Sequence, residues 1–332
     1  MTADVLQGDA LALPVADGSV DLVVTSPPYL GLRSYKDGGE HYEGQIGAEA
    51  TPAEFVDALI AATREMVRVL KPSGSIFVNL GDKYRARGLL ALPWRYAIRC
   101  VDDLDLTLRA EVVWSKPNAY IDAKAAGRAR RTHETWLHLA PSAHPFENVE
   151  ALRQAPAADY QARPQYRRAM QLFEEAGFTA EHMEAVRAVG IIDSEGGAVR
   201  SGGRWSSRSG VLAAEVQNRL RSYYRELCGG SSSPRGTLPG SVWEVPAEAL
   251  KLPAHLGVQH FAAFPMEWPR RFIKAWCPPD GVVLDPFGGT GTTATVAHAL
   301  GRHGITVDLS HDYCRVAQWR TADERQLTKA RG

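Results

Sequence analysis

Val282-Val283-Leu284-Asp285-Pro286-Phe287-Gly288-Gly289-Thr290-Gly291-Thr292-Thr293 is the stretch on which the fold turns. A short β-favouring run enters a Pro- and Gly-rich turn, and the chain resumes as a helix through Thr293 to Leu300. Such a strand–turn–helix is a nucleotide cradle, because glycines let the backbone approach a ligand while helix N-terminal amides face it. Gly289-x-Gly291-x-x-Ala294 has that form. A second strand, Gly304 to Val307, follows, and an acid closes each strand. Asp285 is placed to accept from an ammonium, with a helix N-cap as its alternative role. Asp308 is placed to accept from ribose hydroxyls. S-adenosylmethionine carries both groups, whereas a dinucleotide has no ammonium for Asp285.

Only 24 residues follow Asp308, too few for the further βα units such a sheet needs. The remaining strands must come from the N-terminus, which makes the expected order a circular permutation. The N-terminal third supplies them: a strand at Val20 to Thr25, a helix from Pro52 to Leu70 with Thr51 as N-cap, a turn at Lys71 to Gly74, and a strand at Ser75 to Leu80. A helix through Leu89 to Val101 and a strand at Leu108 to Trp114 complete another unit. Thr25-Ser26-Pro27-Pro28-Tyr29 lies directly after the first of these strands, where open α/β sheets place their sites. Two prolines remove two backbone donors, leaving carbonyls, the Ser26 hydroxyl and an aromatic ring to receive an amino group on a planar ring. A plain Pro-Pro turn with a packed tyrosine is the alternative.

The 332 residues are 45% hydrophobic and 23% charged, ordinary globular usage that excludes disorder and collagen. No apolar run approaches the ~20 residues of a membrane span and the start has no signal-peptide pattern, so a soluble, cytoplasmic protein is expected. Lys+Arg and Asp+Glu both number 38, so binding to a polyanion must come from segregated charge. Such segregation occurs between Gly196 and Arg235, where seven arginines face two acids with Trp205, Tyr223 and Tyr224 interleaved; a solvated loop is the alternative. The four cysteines form no CxxC pair and are expected as reduced thiols. Cys277, in Cys-Pro-Pro, lacks the Pro-Cys setting of a C5-methylating nucleophile. His133-Glu134-x-x-x-His138 looks superficially like a zinc signature. On a helix, i to i+5 would turn the second histidine about 140° away, so no metal is expected.

TSPPY at 25–29, GQIG at 44–47, LKPSGSIFVNLGD at 70–82, VVWSKPN at 112–118, HETWLHL at 133–139, HFAAFP at 260–265 and DPFGGTGTT at 285–293 resemble, as a set and in this order, one family. It is that of the amino-methylating N4-cytosine/N6-adenine DNA methyltransferases, in the permuted arrangement called the β class. The resemblance covers roughly residues 4–145 and 240–320. It implies an α/β fold: a circularly permuted Rossmann-like sheet with helices on both faces. Residues 1–118 would be the catalytic half, 119–240 its end plus an inserted target recognition region (mainly 146–240), and 241–332 the cofactor half.

Carried over by residue, the resemblance makes Ser26, Pro27, Pro28 and Tyr29 the catalytic tetrapeptide, with hydrogen-bond acceptors for the exocyclic amine and a ring that stacks on the extruded base. It assigns S-adenosyl-L-methionine to Thr25, Asp285, Pro286, Phe287, Gly288, Gly289, Gly291 and Thr292. Asp308 matches the ribose acid, Asp9 the acid near the adenine, and His260, Phe264 and Pro265 the segment that closes over the cofactor. Thr306 stands where the family more often has glycine. The insert would read double-stranded DNA through Arg200, Arg204, Trp205, Arg208, Arg219, Arg221 and Arg225. The expected activity is site-specific methylation of cytosine N4, with adenine N6 as alternative, and, in a restriction–modification setting, a cognate endonuclease as partner. A non-catalytic nucleotide-sensing DNA-binding module and a dinucleotide oxidoreductase are the readings from other classes.

Overall fold

The computed structural model describes residues 2–31, 36–37, 40–41, 45–119, 127–153, 171, 174–182, 212, 215–216, 238–248, 250, 252–253, 256–258 and 263–332. The chain divides into two compact units, Met1–Ala151 with Gly240–Gly332, and Leu152–Pro239. The first unit holds an eight-stranded sheet. Its strands are β1 (Ala3–Gln7), β2 (Val20–Thr25), β3 (Leu70–Leu80), β4 (Thr107–Ser115), β5 (His133–Ala140), β6 (Val242–Glu244), β7 (Val282–Asp285) and β8 (His303–Asp308). They lie in the order β1-β8-β7-β2-β3-β5-β4-β6, and only β5 runs antiparallel to its neighbours. The first and last strands are adjacent, with Ala3 opposite Gly304 and Gln7 opposite Asp308. That is the permuted Rossmann-like sheet.

β2 is buried along its whole length, as a parallel strand covered on both faces must be, which is why it reads as an unbroken apolar run. Helix α1 (Pro52–Val69) starts where the sequence places it. Thr51 Oγ1 accepts from Glu54 N at 3.2 Å, Glu54 Oε2 accepts from Thr51 N at 3.0 Å, and Pro52 begins the helix. Helix α2 (Leu92–Leu104) packs beside α1 on one face. On the other lie α3 (Glu267–Trp276), α4 (Thr292–Ala299), α5 (His311–Ala322) and α6 (Glu324–Arg331).

Strand alternation divides the core. Ile76, Val78 and Leu80 of β3 join the α1/α2 side, with Phe55, Leu59 and Met66. Phe77 points the other way, stacked on Phe272 at 4.0 Å and on His138 at 4.2 Å. Burial pushes the His138 pKa down to about 3, so its ring is neutral, with Nε2 3.0 Å from Ser75 Oγ.

Several boundaries differ from the sequence reading. β3 begins at Leu70 rather than Ser75, because the Lys71–Gly74 turn is drawn into the ladder across a bulge. Lys71 Nζ pairs there with Asp21 at 2.8 Å. α2 starts at Leu92 because Leu89 belongs to a small hairpin, Tyr84–Arg85 with Gly88–Leu89. The 133–140 segment is a central strand, so His133 and His138 sit on opposite faces by the period of two. What separates the two rings is therefore strand alternation, not the turn of a helix. β1, β6, α5 and α6 were not expected from the sequence pattern. Cys100, Cys277 and Cys314 are buried thiols outside any disulfide among the described residues, and burial lifts the Cys277 thiol to about 12, far from a thiolate. No described helix is long and apolar enough to cross a membrane.

Candidate active site

Because every strand except β5 points the same way, one edge of the sheet collects the C-terminal ends of seven strands and the start of β5. There lies a cleft of about 1070 Å³. Of the residues singled out in the sequence, Asp9, Ser26, Pro27, Pro28, Tyr29, Phe264, Pro286, Phe287, Gly288, Gly289, Thr292 and Asp308 line it. The permuted halves therefore meet in one cavity, the SPPY turn from β2 facing the glycine loop from β7.

The loop is built around β8. Gly288 N donates to Val307 O at 2.9 Å, and Gly289 N donates to Asp308 Oδ2 at 2.8 Å. Asp308 Oδ1 accepts from Ser310 N at 2.9 Å, so two amides orient its carboxylate. A Cβ on Gly288 would fall 1.6 Å from Thr306 Oγ1, so only glycine fits against the threonine that departs from the family pattern. Asp9 turns its Oδ1 to Leu11 N at 2.9 Å.

Four expected residues are not at the cleft wall. Asp285 is 1% exposed. Its Oδ1 accepts from Thr25 Oγ1 at 2.6 Å and Phe287 N at 3.2 Å, and its Oδ2 accepts from Thr293 Oγ1 at 3.0 Å. It thus ties β2, the loop and α4 together from behind, and an ammonium would have to compete with three donors already in place. Thr25 is its fully buried partner. Gly291 caps α4 at φ 75°, where a Cβ would strike Ala317. Pro265 is buried at the start of α3, its carbonyl accepting from Trp268 N at 3.2 Å, while Phe264 beside it meets the Trp136 ring edge-on. His260 and the arginines 200, 204, 208, 219, 221 and 225, with Trp205, lie outside the described residues.

Burial raises the Asp285 pKa to about 7, against the donors, which lower it. His138 and Asp285 then titrate in opposite senses. Between about 3.8 and 6.5 the unfolded chain carries a proton on the histidine that the folded one lacks, so this group makes stability rise with pH. In the same interval the folded chain holds a proton on Asp285 that the unfolded one lacks, so that group makes stability fall as pH rises toward 7. Each contributes about 1.4 kcal/mol per pH unit, and the two offset one another. Denaturant titrations across that range should show His138→Gln losing stability, relative to wild type, as pH rises, and Asp285→Asn gaining it. A flat difference for both variants would exclude these protonation states.

Behind Tyr29 stand residues to which the sequence reading assigns no role. Tyr29 OH donates to Glu134 Oε2 at 2.9 Å, and Asn79 Nδ2 donates to both Tyr29 OH (3.1 Å) and Glu134 Oε2 (3.0 Å). Lys116 forms an ion pair with Glu134 and stands 4.0 Å over the Trp114 ring. A Cβ on Gly81 would come within 2.6 Å of the Tyr29 ring. Apart from Tyr29, these residues lie in the stretches LKPSGSIFVNLGD, VVWSKPN and HETWLHL; the blocks were visible, but the contacts joining them were not.

A family model described as DNA methylase, of the N6 and N4 type, matches residues 20–319. The chain belongs to this DNA methylase family. Type II methyltransferase M.SfiI of Streptomyces fimbriatus is 28% identical, over 92% of this chain and 87% of the relative. Type II methyltransferase M.SmaI of Serratia marcescens is 26% identical, over 97% and 91%. Among solved structures, the cytosine-N4-specific PvuII DNA methyltransferase shares the fold with a TM-score of 0.61 at 18% identity, covering 99% of this chain and 91% of that one. A protein of Thermus thermophilus described as a DNA modification methylase, complexed with S-adenosyl-L-methionine, matches with a TM-score of 0.51 at 21% identity over 98% and 96%.

The methyl donor of this DNA methylase is S-adenosyl-L-methionine. The cleft suits it. Leu309, apolar yet 40% exposed, lines the wall next to Asp308. Apolar surface beside an oriented carboxylate is what an adenine ring attached to a ribose requires.

Proposed function

We propose that this DNA methylase is a site-specific enzyme that methylates the exocyclic N4 amine of cytosine after the base has left the duplex. The observation that carries the reading is the SPPY turn facing the oriented Asp308 and the glycine loop across one cleft. Asp308, Gly289, Phe287, Asp9 and Phe264 would hold S-adenosyl-L-methionine, with Asp285 and Thr25 fixing the loop from behind. When bound, the cofactor supplies a methyl group on a sulfonium, open to direct transfer. An exocyclic amine is conjugated with its ring and is a poor nucleophile. Ser26 Oγ and the Pro27 carbonyl would accept its hydrogens, draw it toward tetrahedral geometry and aim its lone pair. Tyr29 would stack on the base, with Asn79 and Glu134 setting the ring's tilt. Orientation of this kind can supply ~7–11 kcal/mol, and an in-helix amine cannot reach such a site, which is why base extrusion belongs to the reading.

Ser26 is neutral, in contrast to the aspartate that the resemblance associates with many adenine-modifying enzymes, and this favours cytosine. The unit Leu152–Pro239 would read the target sequence, and the Type II relatives support a restriction–modification setting. Incubating the purified protein with S-adenosyl-L-methionine and unmethylated DNA, then analysing nucleosides by mass spectrometry, should yield N4-methylcytosine. N6-methyladenine alone would overturn the base but keep the chemistry. 5-Methylcytosine, or no transfer, would overturn both.

A further inference from the structure

Next to the cleft, the Tyr84–Arg85/Gly88–Leu89 hairpin turns through Ala86 and Arg87, whose φ angles are 47° and 69°. Two consecutive left-handed residues make a tight hairpin turn that Asn-Gly or Gly-Gly adopts without strain. Alanine and arginine hold it at a steric cost, and strain of this kind gathers at functional sites. The 127–131 segment lies against the hairpin. The Arg128 guanidinium sits 3.6 Å over the Tyr84 ring, and a Cβ on Gly127 would be 3.9 Å from Arg87 Nη2.

Hairpin and segment, joined by these contacts, carry Arg85, Arg87, Arg128, Arg130 and Arg131 on two adjoining stretches of the rim, while Lys83, Tyr84 and Arg131 line the cleft itself. Several of these cations are spoken for: Arg131 faces Asp82 at 3.6 Å, and Lys83 Nζ donates to Leu30 O and Gly31 O at 3.1 and 3.0 Å. Among the described residues Arg85 donates to Ala50 O, at 3.2 Å. Among the described residues no carboxylate lies within 4 Å of Arg85, Arg87 or Arg130, and all three are exposed. In a chain of zero formal net charge this is segregated positive charge at the mouth of the cleft, presented as planar forks that match phosphate oxygens.

We infer that this lip is a phosphate-binding surface that grips the DNA backbone where the target base enters the cleft, separate from the sequence-reading insert. The inference rests on the DNA methyltransferase reading above. A base delivered to Tyr29 brings its flanking phosphates to the rim, and a strained turn that projects an arginine there accounts for a residue choice that stability alone would reject.

The test is fluorescence anisotropy with a labelled random-sequence duplex at several salt concentrations. Every arginine–phosphate pair that disappears lowers the slope of log affinity against log salt by about 0.9, so Arg87→Ala with Arg130→Ala should lower it by about 2. Arg325→Ala on α6, away from the lip, should leave it unchanged. Arg87→Gly guards against loss of fold: it relieves the strained φ, so it should melt at or above the wild-type temperature while its slope falls by about 1. A wild-type slope in the double variant, with DNA still bound, would overturn the lip and leave the methyltransferase reading intact. Absence of any DNA binding by the wild-type protein would overturn both.

Discussion

Replacing Asp308 with alanine is expected to raise the dissociation constant for S-adenosyl-L-methionine by about 100-fold or more, roughly 3 kcal/mol. Two effects combine. The carboxylate that would take the ribose hydroxyls is lost, and Gly289 N and Ser310 N lose the acceptor that holds the loop over β8. Asp308→Asn keeps one carbonyl acceptor and should fall between the two. Calorimetry on folded protein measures this directly; an affinity for Asp308→Ala within about threefold of wild type would remove Asp308 from the cofactor site.

Ser26→Ala is expected to depress turnover by roughly 100-fold while changing DNA and cofactor affinity little, because in the proposed reaction its acceptor would be used as the amine is activated. Tyr29→Ala should behave differently. It deletes a stacking surface worth ~1–3 kcal/mol, so it should weaken binding of DNA and leave cofactor affinity nearly constant. It also strips Glu134 and Asn79 of their shared phenol partner. Single-turnover kinetics beside binding isotherms separate the two variants. Equal losses in kcat and in DNA affinity for Ser26→Ala would show that the hydroxyl serves binding rather than activation.

The parts of the fold legible in the sequence were those whose local signals agree with the tertiary outcome. α1 has a capping box, a first-turn proline and a clean apolar face, and its start is placed to the residue. The β7–loop–α4 unit declares itself through glycines, and the position of that unit near the C-terminus exposes the permutation. β5 was missed because it starts with polar His133 and Glu134 and its buried residues include Thr135 and His138, so it lacks the apolar run of its parallel neighbours. β1 was missed because five partly exposed residues become a strand only through pairing with β8.

The site divides in the same way. Which segments converge could be read from motif order, but not which side chains face the cavity. Asp285 carries the expected residue type at the expected strand end, yet Thr25 on the neighbouring strand and Thr293 on the following helix draw its oxygens inward. That depends on strand register between residues far apart in the chain. The Tyr29–Asn79–Glu134–Lys116 cluster was invisible for the same reason, since its four members come from four separate segments.

The adjacency of β1 and β8 also governs the order in which the chain can complete itself during synthesis. β1 is made first, but its sheet partner is made last, and β2 has an open edge until β7 fills the gap between them. A nascent chain that stops just before residue 282 has β2, β3, β5, β4 and β6 able to pair, while β1 has no neighbour. Long-range pairings of this kind are slow to form and leave strand edges exposed meanwhile. Refolding from denaturant should therefore show β2, β3, β4 and β5 gaining structure ahead of β1, β7 and β8, with S-adenosyl-L-methionine binding recovered in the slowest phase. Because β7 and β8 are synthesised after the other strands, a chain that has not reached them holds neither the glycine loop nor Asp308, and its cleft has one wall.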